Sequence, residues 1–119
     1  MTKEKIEEAE KRLSTAKLLL ENERFEAAVS RAYYSMFHAA KSLLQTEDSS
    51  PKTHEGVNSE LGKLFRDRID LELLREFSRI KQLREDADYG AESNISKQKA
   101  TEVVETAEKF ISRAKDITR

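Results

Sequence analysis

The stretch RFEAAVSRAYYSMFHAAKSLLQ, residues 24–45, decides how this chain folds. Its apolar positions Phe25, Ala28, Val29, Ala32, Tyr33, Met36, Phe37, Ala40, Leu43 and Leu44 recur at three- and four-residue intervals, which on a helix gives one wide, continuous apolar face. A face that broad is expected to form the spine of a core, with partners packed on several sides. Towards the N-terminus, Asn22 marks a short connection, because asparagine is a good helix N-cap and tolerates turn geometry. Before it, Ile6, Ala9, Leu13, Ala16 and Leu20 lay a narrower stripe along a first helix over residues 3–21, with charged residues filling much of the rest.

Towards the C-terminus, residues 46–53 read as a loop. Asp48, Ser49 and Ser50 compete with helical backbone bonds, and Pro51, the only proline, lacks the donor. Beyond it, Val57, Leu61, Leu64 and Phe65 predict a short third helix. Leu71, Leu74, Phe77, Ile80 and Leu83 predict a fourth, with a bend near residues 67–70. Residues 88–95 read as a second loop. Ser96 then caps a last helix carrying Ala100, Val103, Val104, Ala107, Phe110, Ile111, Ala114 and Ile117. No alternating strand pattern, repeat or low-complexity tract interrupts this order. The expected fold is all-α, an antiparallel up-and-down bundle of four to five helices forming one domain over residues 1–119.

Composition agrees and narrows the function classes. Of the 119 residues, 37% are hydrophobic and 38% charged, the balance of thin amphipathic helices around an economical core. The 22 Lys and Arg nearly cancel the 23 Asp and Glu, so net charge names no partner, although a local basic patch can still hold phosphates. The absence of cysteine removes disulfides, thiol nucleophiles and the usual structural zinc sites. With two histidines and no H-x-x-x-H spacing, neither a metal site nor a cofactor is expected. The charged first ten residues lack the apolar stretch of a signal peptide, and no later run approaches the roughly 20 apolar residues of a membrane span. A cytoplasmic protein with no membrane partner is the expectation.

Three places carry candidate chemistry. In the second helix Arg31 and His38 stand seven positions apart, nearly in phase and about 10 Å apart along the axis. Either they line one functional face, or they border a core formed by Tyr33, Met36 and Phe37. His54 follows the Pro51 loop at a helix start, where free backbone N–H groups help hold an anion and an imidazole can move protons near neutral pH. The alternative there is an exposed residue without a task. Finally, Arg84 and Asp88 are four apart. Either they form an ordinary surface pair contributing a few tenths of a kcal/mol, or Arg84 grips a phosphate while Asp88 fixes it and Tyr89 stacks or hydrogen-bonds.

Taken together, the stretches SRAYYSMFHAAKSLL (30–44), KTHEGV (52–57) and LREDADY (83–89) resemble, in order and spacing, the HEPN family of small helical domains, especially its short stand-alone prokaryotic branch. That resemblance implies a bundle of four to five helices that dimerises, often encoded beside a minimal nucleotidyltransferase as a toxin–antitoxin pair. It also implies nucleotide or RNA as ligand, and, in active members, metal-independent ribonuclease activity. The family's ribonuclease motif is a late arginine followed four to six residues on by a histidine. Here the late arginine is Arg84, and Asp88 and Tyr89 stand where the histidine and its flanking tyrosine are expected. Arg31 and His38 fit the written pattern when it is counted by the six residues between them, but they lie in the wrong helix. The resemblance therefore favours a binding module around Arg84, Asp88 and Tyr89, with Arg31 and His38 as further candidates. The alternatives are a ribonuclease that pairs Arg84 with His54 or His38, and a purely structural adaptor.

Overall fold

The computed structural model describes residues 2–89 and 95–119. They form five helices: α1 (Thr2–Glu21), α2 (Phe25–Gln45), α3 (His54–Phe65), α4 (Leu71–Tyr89) and α5 (Lys97–Ile117). The expected spine is α2, which packs against all four others. Ala28, Val29, Ala32, Tyr33, Met36, Ala39, Ala40, Leu43 and Leu44 are all fully buried, as the wide apolar face requires. Ile6, Ala9, Leu13 and Ala16 of α1 and the Ala100 to Ala114 stripe of α5 join all of these but Ala28 in one contiguous core.

Ion pairs fix the helix directions. Glu10 meets Lys115 at 3.1 Å and Lys17 meets Glu108, so α1 and α5 run antiparallel. Asn58 reaches Ser78 at 3.4 Å and Glu55 reaches Lys81 at 3.1 Å, so α3 and α4 also run antiparallel. Five strictly alternating legs would leave α5 parallel to α1. The alternation is therefore broken once between α2 and α5, and α3, at 12 residues, is the short element of the bundle. The expected all-α bundle of helices is the observed one, with its up-and-down alternation broken once.

Local chemistry sets the connections, with three departures from expectation. Asn22 does not cap α2. Its side-chain amide donates back to the Leu18 carbonyl at 2.8 Å, while Glu23 N donates to Leu20 O and Arg24 N to Leu19 O, which together form a Schellman ending for α1. Glu23 takes the left-handed conformation, φ 59°, that such an ending needs. Leu71, expected in the core stripe of α4, is 55% exposed, because the stripe begins to face inwards only at Leu74. Asp88 and Tyr89 belong to the last turn of α4 and not to a loop, and the expected loop beyond them, residues 90–94, lies outside the described residues.

The Pro51 loop forms as expected. Thr53 caps α3 by accepting from Gly56 N at 2.9 Å, which sets His54 as the first helical residue. A side chain at Gly56 would come within 3.0 Å of both Pro51 Cβ and Thr53 Oγ1, so glycine lets the loop lie flat on the helix start. Ser96 caps α5 as expected, accepting from Lys99 N at 3.0 Å.

Glycine carries no steric penalty at the left-handed position held by Glu23. Glu23→Gly is expected to raise stability by about 0.5–1 kcal/mol, read as a higher urea midpoint at unchanged slope. A lower midpoint would contradict the assigned ending of α1.

Candidate functional site at the buried arginine

Arg84 lies seven residues after Phe77 and four after Ile80, on the inward face of α4, and only 8% of its surface is exposed. It is a cation placed on an apolar stripe, and such a group needs partners. One terminal nitrogen donates to Asp88 Oδ2 at 2.9 Å and to the Tyr34 hydroxyl at 3.2 Å. The other lies 3.9 Å from Glu85. The guanidinium carbon sits 5.2 Å from the Tyr33 ring centre and 5.3 Å from that of Tyr34, within cation–π range of both. Its Nε is buried without a hydrogen-bond partner among the described residues. The Arg84–Asp88 pair expected from the sequence thus forms, but on the arginine side it is not a surface pair.

His54 reaches the same aromatic group from α3. Its Nδ1 lies 2.8 Å from the hydroxyl of fully buried Tyr33. Its ring stacks on Phe37 at 4.3 Å and meets Tyr34 edge-on at 6.4 Å. Tyr33 and Tyr34 therefore form a shared wall between Arg84 and His54, two residues separated by thirty positions in the chain. Burial lowers the His54 pKa below its ordinary value, and the nearby Arg84 and Lys81 charges lower it further, against the pull of Glu55 and Glu85. Burial also raises the Tyr33 phenol, partly offset by Arg84. At neutral pH the hydrogen bond joins a neutral imidazole to a neutral phenol. Nε2 can take a proton only in the tautomer in which Nδ1–H donates to Tyr33 Oη.

Around this centre Lys81 bridges Glu55 at 3.1 Å and Glu85 at 3.0 Å. These carboxylates raise its pKa, while Glu55 is lowered by the backbone N–H at the start of α3 and by Lys81. The other candidates lie elsewhere. His38 is half-buried in a separate cavity of about 230 Å³ with Lys5, Glu8, Lys41 and Gln45, where burial and then Arg12 and Lys41 lower its pKa. Arg31 is exposed and does not join Arg84. The Tyr89 side chain lies outside the described residues. Sequence reading left out Tyr34, Lys81 and Glu55 and treated Phe37 as core, whereas Phe37 is partly buried and forms the floor beneath His54. The spacing of Phe77, Ile80 and Arg84 on one face was the available signal that Arg84 points inwards.

The fold and site define an all-α bundle with a buried arginine near the end of its fourth helix, answered by a carboxylate and two tyrosines. The HEPN domain profile matches residues 2–117. A protein of Methanocaldococcus jannaschii named "Putative toxin" is 39% identical over 112 residues, covering 92% of this chain and 83% of that protein. A second protein of that name from the same organism is 37% identical over 112 residues, covering 92% and 76%. A "UPF0332 protein" of Archaeoglobus fulgidus is 36% identical over 116 residues, covering 94% and 90%. The chain belongs to the HEPN domain family, as its three quoted stretches implied. Among the described residues, no helix is long and apolar enough to cross a membrane.

Two outcomes follow from these contacts. Asp88→Ala leaves the Arg84 guanidinium with weaker partners in a buried position and is expected to cost about 1–2 kcal/mol, measured by urea unfolding. An unchanged midpoint would mean that Asp88 does not hold the arginine. Because the folded chain disfavours His54 protonation relative to the unfolded one, its contribution is complete above the ordinary value of 6.5 and is lost as pH falls through the folded value. His54→Gln should therefore flatten the fall in melting temperature between about pH 7.5 and 5 relative to the parent, and parallel curves would contradict this.

Proposed function

We propose that this chain is an RNA-binding HEPN module of the toxin type whose catalytic motif is degenerate. The observation that carries the reading is the partner of the late arginine. The group facing the Arg84 guanidinium at 2.9 Å is the Asp88 carboxylate, and residues 88–91, which span the family motif's window, contain no histidine. Cleavage of RNA at the ribose needs a base to take the 2′-hydroxyl proton, an acid to protonate the leaving oxygen, and a cation to offset the charge of the phosphorane. Arg84 suits the last role. A carboxylate already paired with that arginine offers no proton to a leaving oxygen, so recognition is retained and the chemistry is weak or lost. The Nε of Arg84, without a partner among the described residues, supports an anionic ligand, because a phosphate oxygen would satisfy such a donor. The names carried by the two Methanocaldococcus proteins support the toxin-type assignment. A second copy of the chain and a minimal nucleotidyltransferase are the partners proposed from the family resemblance.

A metal-independent ribonuclease is the second reading, favoured by one observation: His54 meets the same tyrosine pair as Arg84 and is held neutral. His38, in a different cavity, enters neither reading.

The test is a mixed RNA pool incubated in chelator with the parent, Arg84→Ala and His54→Ala, alongside an RNA-binding titration, each variant first shown to melt cooperatively. The binding module predicts RNA bound without cleavage, and affinity reduced about tenfold or more in Arg84→Ala. Cleavage by the parent that disappears in both variants would establish the ribonuclease. Absence of RNA binding by the parent would overturn the first reading.

A further inference from the structure

The cations at Arg84 are already matched within the protein. Arg84 faces Asp88 and Glu85, and Lys81 faces Glu55 and Glu85. This end of α4 on its own draws a polyanion weakly, because its carboxylates repel the phosphates that its cations attract. Uncompensated positive charge lies beyond the Phe37 ring. There a cavity of about 350 Å³ is lined by Phe37, Lys41 and Gln45 of α2 and by Ser49, Ser50, Pro51 and Lys52 of the following loop. Lys41 and Lys52 are exposed, and neither forms an ion pair among the described residues. The Lys41 ammonium rests 5.5 Å from the centre of the Phe37 ring, an exposed cation–π contact that an arriving phosphate would readily outcompete.

The Phe37 ring joins this cavity to the candidate site, because it also stacks on His54 at 4.3 Å. On its far side the cavity shares Lys41 and Gln45 with the smaller one that contains Lys5, His38 and the single carboxylate Glu8. An aromatic ring, two lysines without ion pairs among the described residues and the Ser50 hydroxyl around one opening match the chemistry of a nucleotide, a π-face with a phosphate attached, while Ser49 Oγ donates to Glu60 at 3.1 Å. The volume lies at the small end of the range for ligand pockets, roughly 300–1,000 Å³. A base can reach the Phe37 ring only when it is unstacked, which selects single strands over duplexes.

We infer that the cavity between Phe37 and Lys52 is a nucleotide subsite, which holds one unit of a single-stranded RNA whose neighbouring unit occupies the Arg84–His54 centre. In it, Lys41 and Lys52 bind the phosphate, and Phe37 with Pro51 receives the base. This inference rests on the RNA-binding reading and adds the class of strand and its path across α2.

The experiment titrates a short labelled single-stranded RNA, and its duplex, into the parent chain, Lys41→Gln/Lys52→Gln, Phe37→Leu and Arg84→Ala at several salt concentrations. Melting curves confirm that each variant is folded. The subsite predicts that the double lysine variant binds the single strand about tenfold more weakly and that its log–log salt slope falls by about 0.7, the value for one lost phosphate contact. Phe37→Leu, which keeps an apolar side chain against His54 but removes the π-face, is expected to weaken the single strand about tenfold and the duplex little. If Arg84→Ala weakens binding while the lysine and Phe37 variants match the parent, the subsite is overturned and the RNA-binding reading stands. Equal losses for duplex and single strand would overturn the single-strand assignment. A parent that binds neither RNA would overturn the RNA-binding reading, and the subsite with it.

Discussion

The hydroxyl of Tyr33 lies in a part of the bundle where no solvent reaches it, and a buried hydroxyl without a partner costs roughly 1–3 kcal/mol. That constraint ties the core to the site. The ring of Tyr33 belongs to the packing, stacking on Phe77 of α4 at 5.7 Å, while its oxygen meets His54 of α3 at 2.8 Å. The start of α3 is thereby held against α2. The Thr53 cap and the close approach at Gly56 support it from the loop side. One residue of the spine thus orients a short helix, and the short helix carries the imidazole.

The same rings govern Arg84. An arginine on an inward helix face is tolerated where its charge is answered, and here the answer comes from aromatic faces, a phenol and a carboxylate together. The arrangement is rigid because each partner is itself held. Tyr34 follows Tyr33 on the buried spine, and Asp88 is one helical turn beyond Arg84. His54 shares in the consequence: the guanidinium near it, together with burial, keeps the imidazole neutral. Charge compensation is nearly complete around the buried arginine on α4, whereas Lys41 of α2 and Lys52 of the following loop, beyond Phe37, form no ion pair among the described residues.

Much of the site could be read from the sequence, and the unread part has a common cause. The importance of Arg84, its pairing with Asp88 and the position of His54 at a helix start all follow from short spacings or from capping chemistry, which are local. The meeting of His54 with Arg84 depends on two tyrosines in a third helix. Sequence periodicity marked Tyr33 and Phe37 as packing residues because a stripe of aromatics looks the same whether it fills a core or floors a site. Tyr34, one position off the stripe, carried no signal. Arg31 and His38 matched a written pattern, yet Arg31 is exposed and His38 lines a separate cavity. Sequence spacing on one helix says nothing about which face another helix covers.

By itself the sequence determined the helical class, the five segments, the helix start at His54, the cap at Ser96, and the family, because helix periodicity, capping and motif order are properties of neighbouring residues. The tertiary structure alone decided that Asn22 closes α1 and does not open α2, since that depends on the backbone conformation of Glu23. It also decided that α1 and α5 run antiparallel, with charges matched across helices ninety and more positions apart. And it decided that a buried arginine, a neutral histidine and an aromatic floor form one centre. Those are relations between distant segments, fixed only when burial of the apolar stripes selects which helix faces meet.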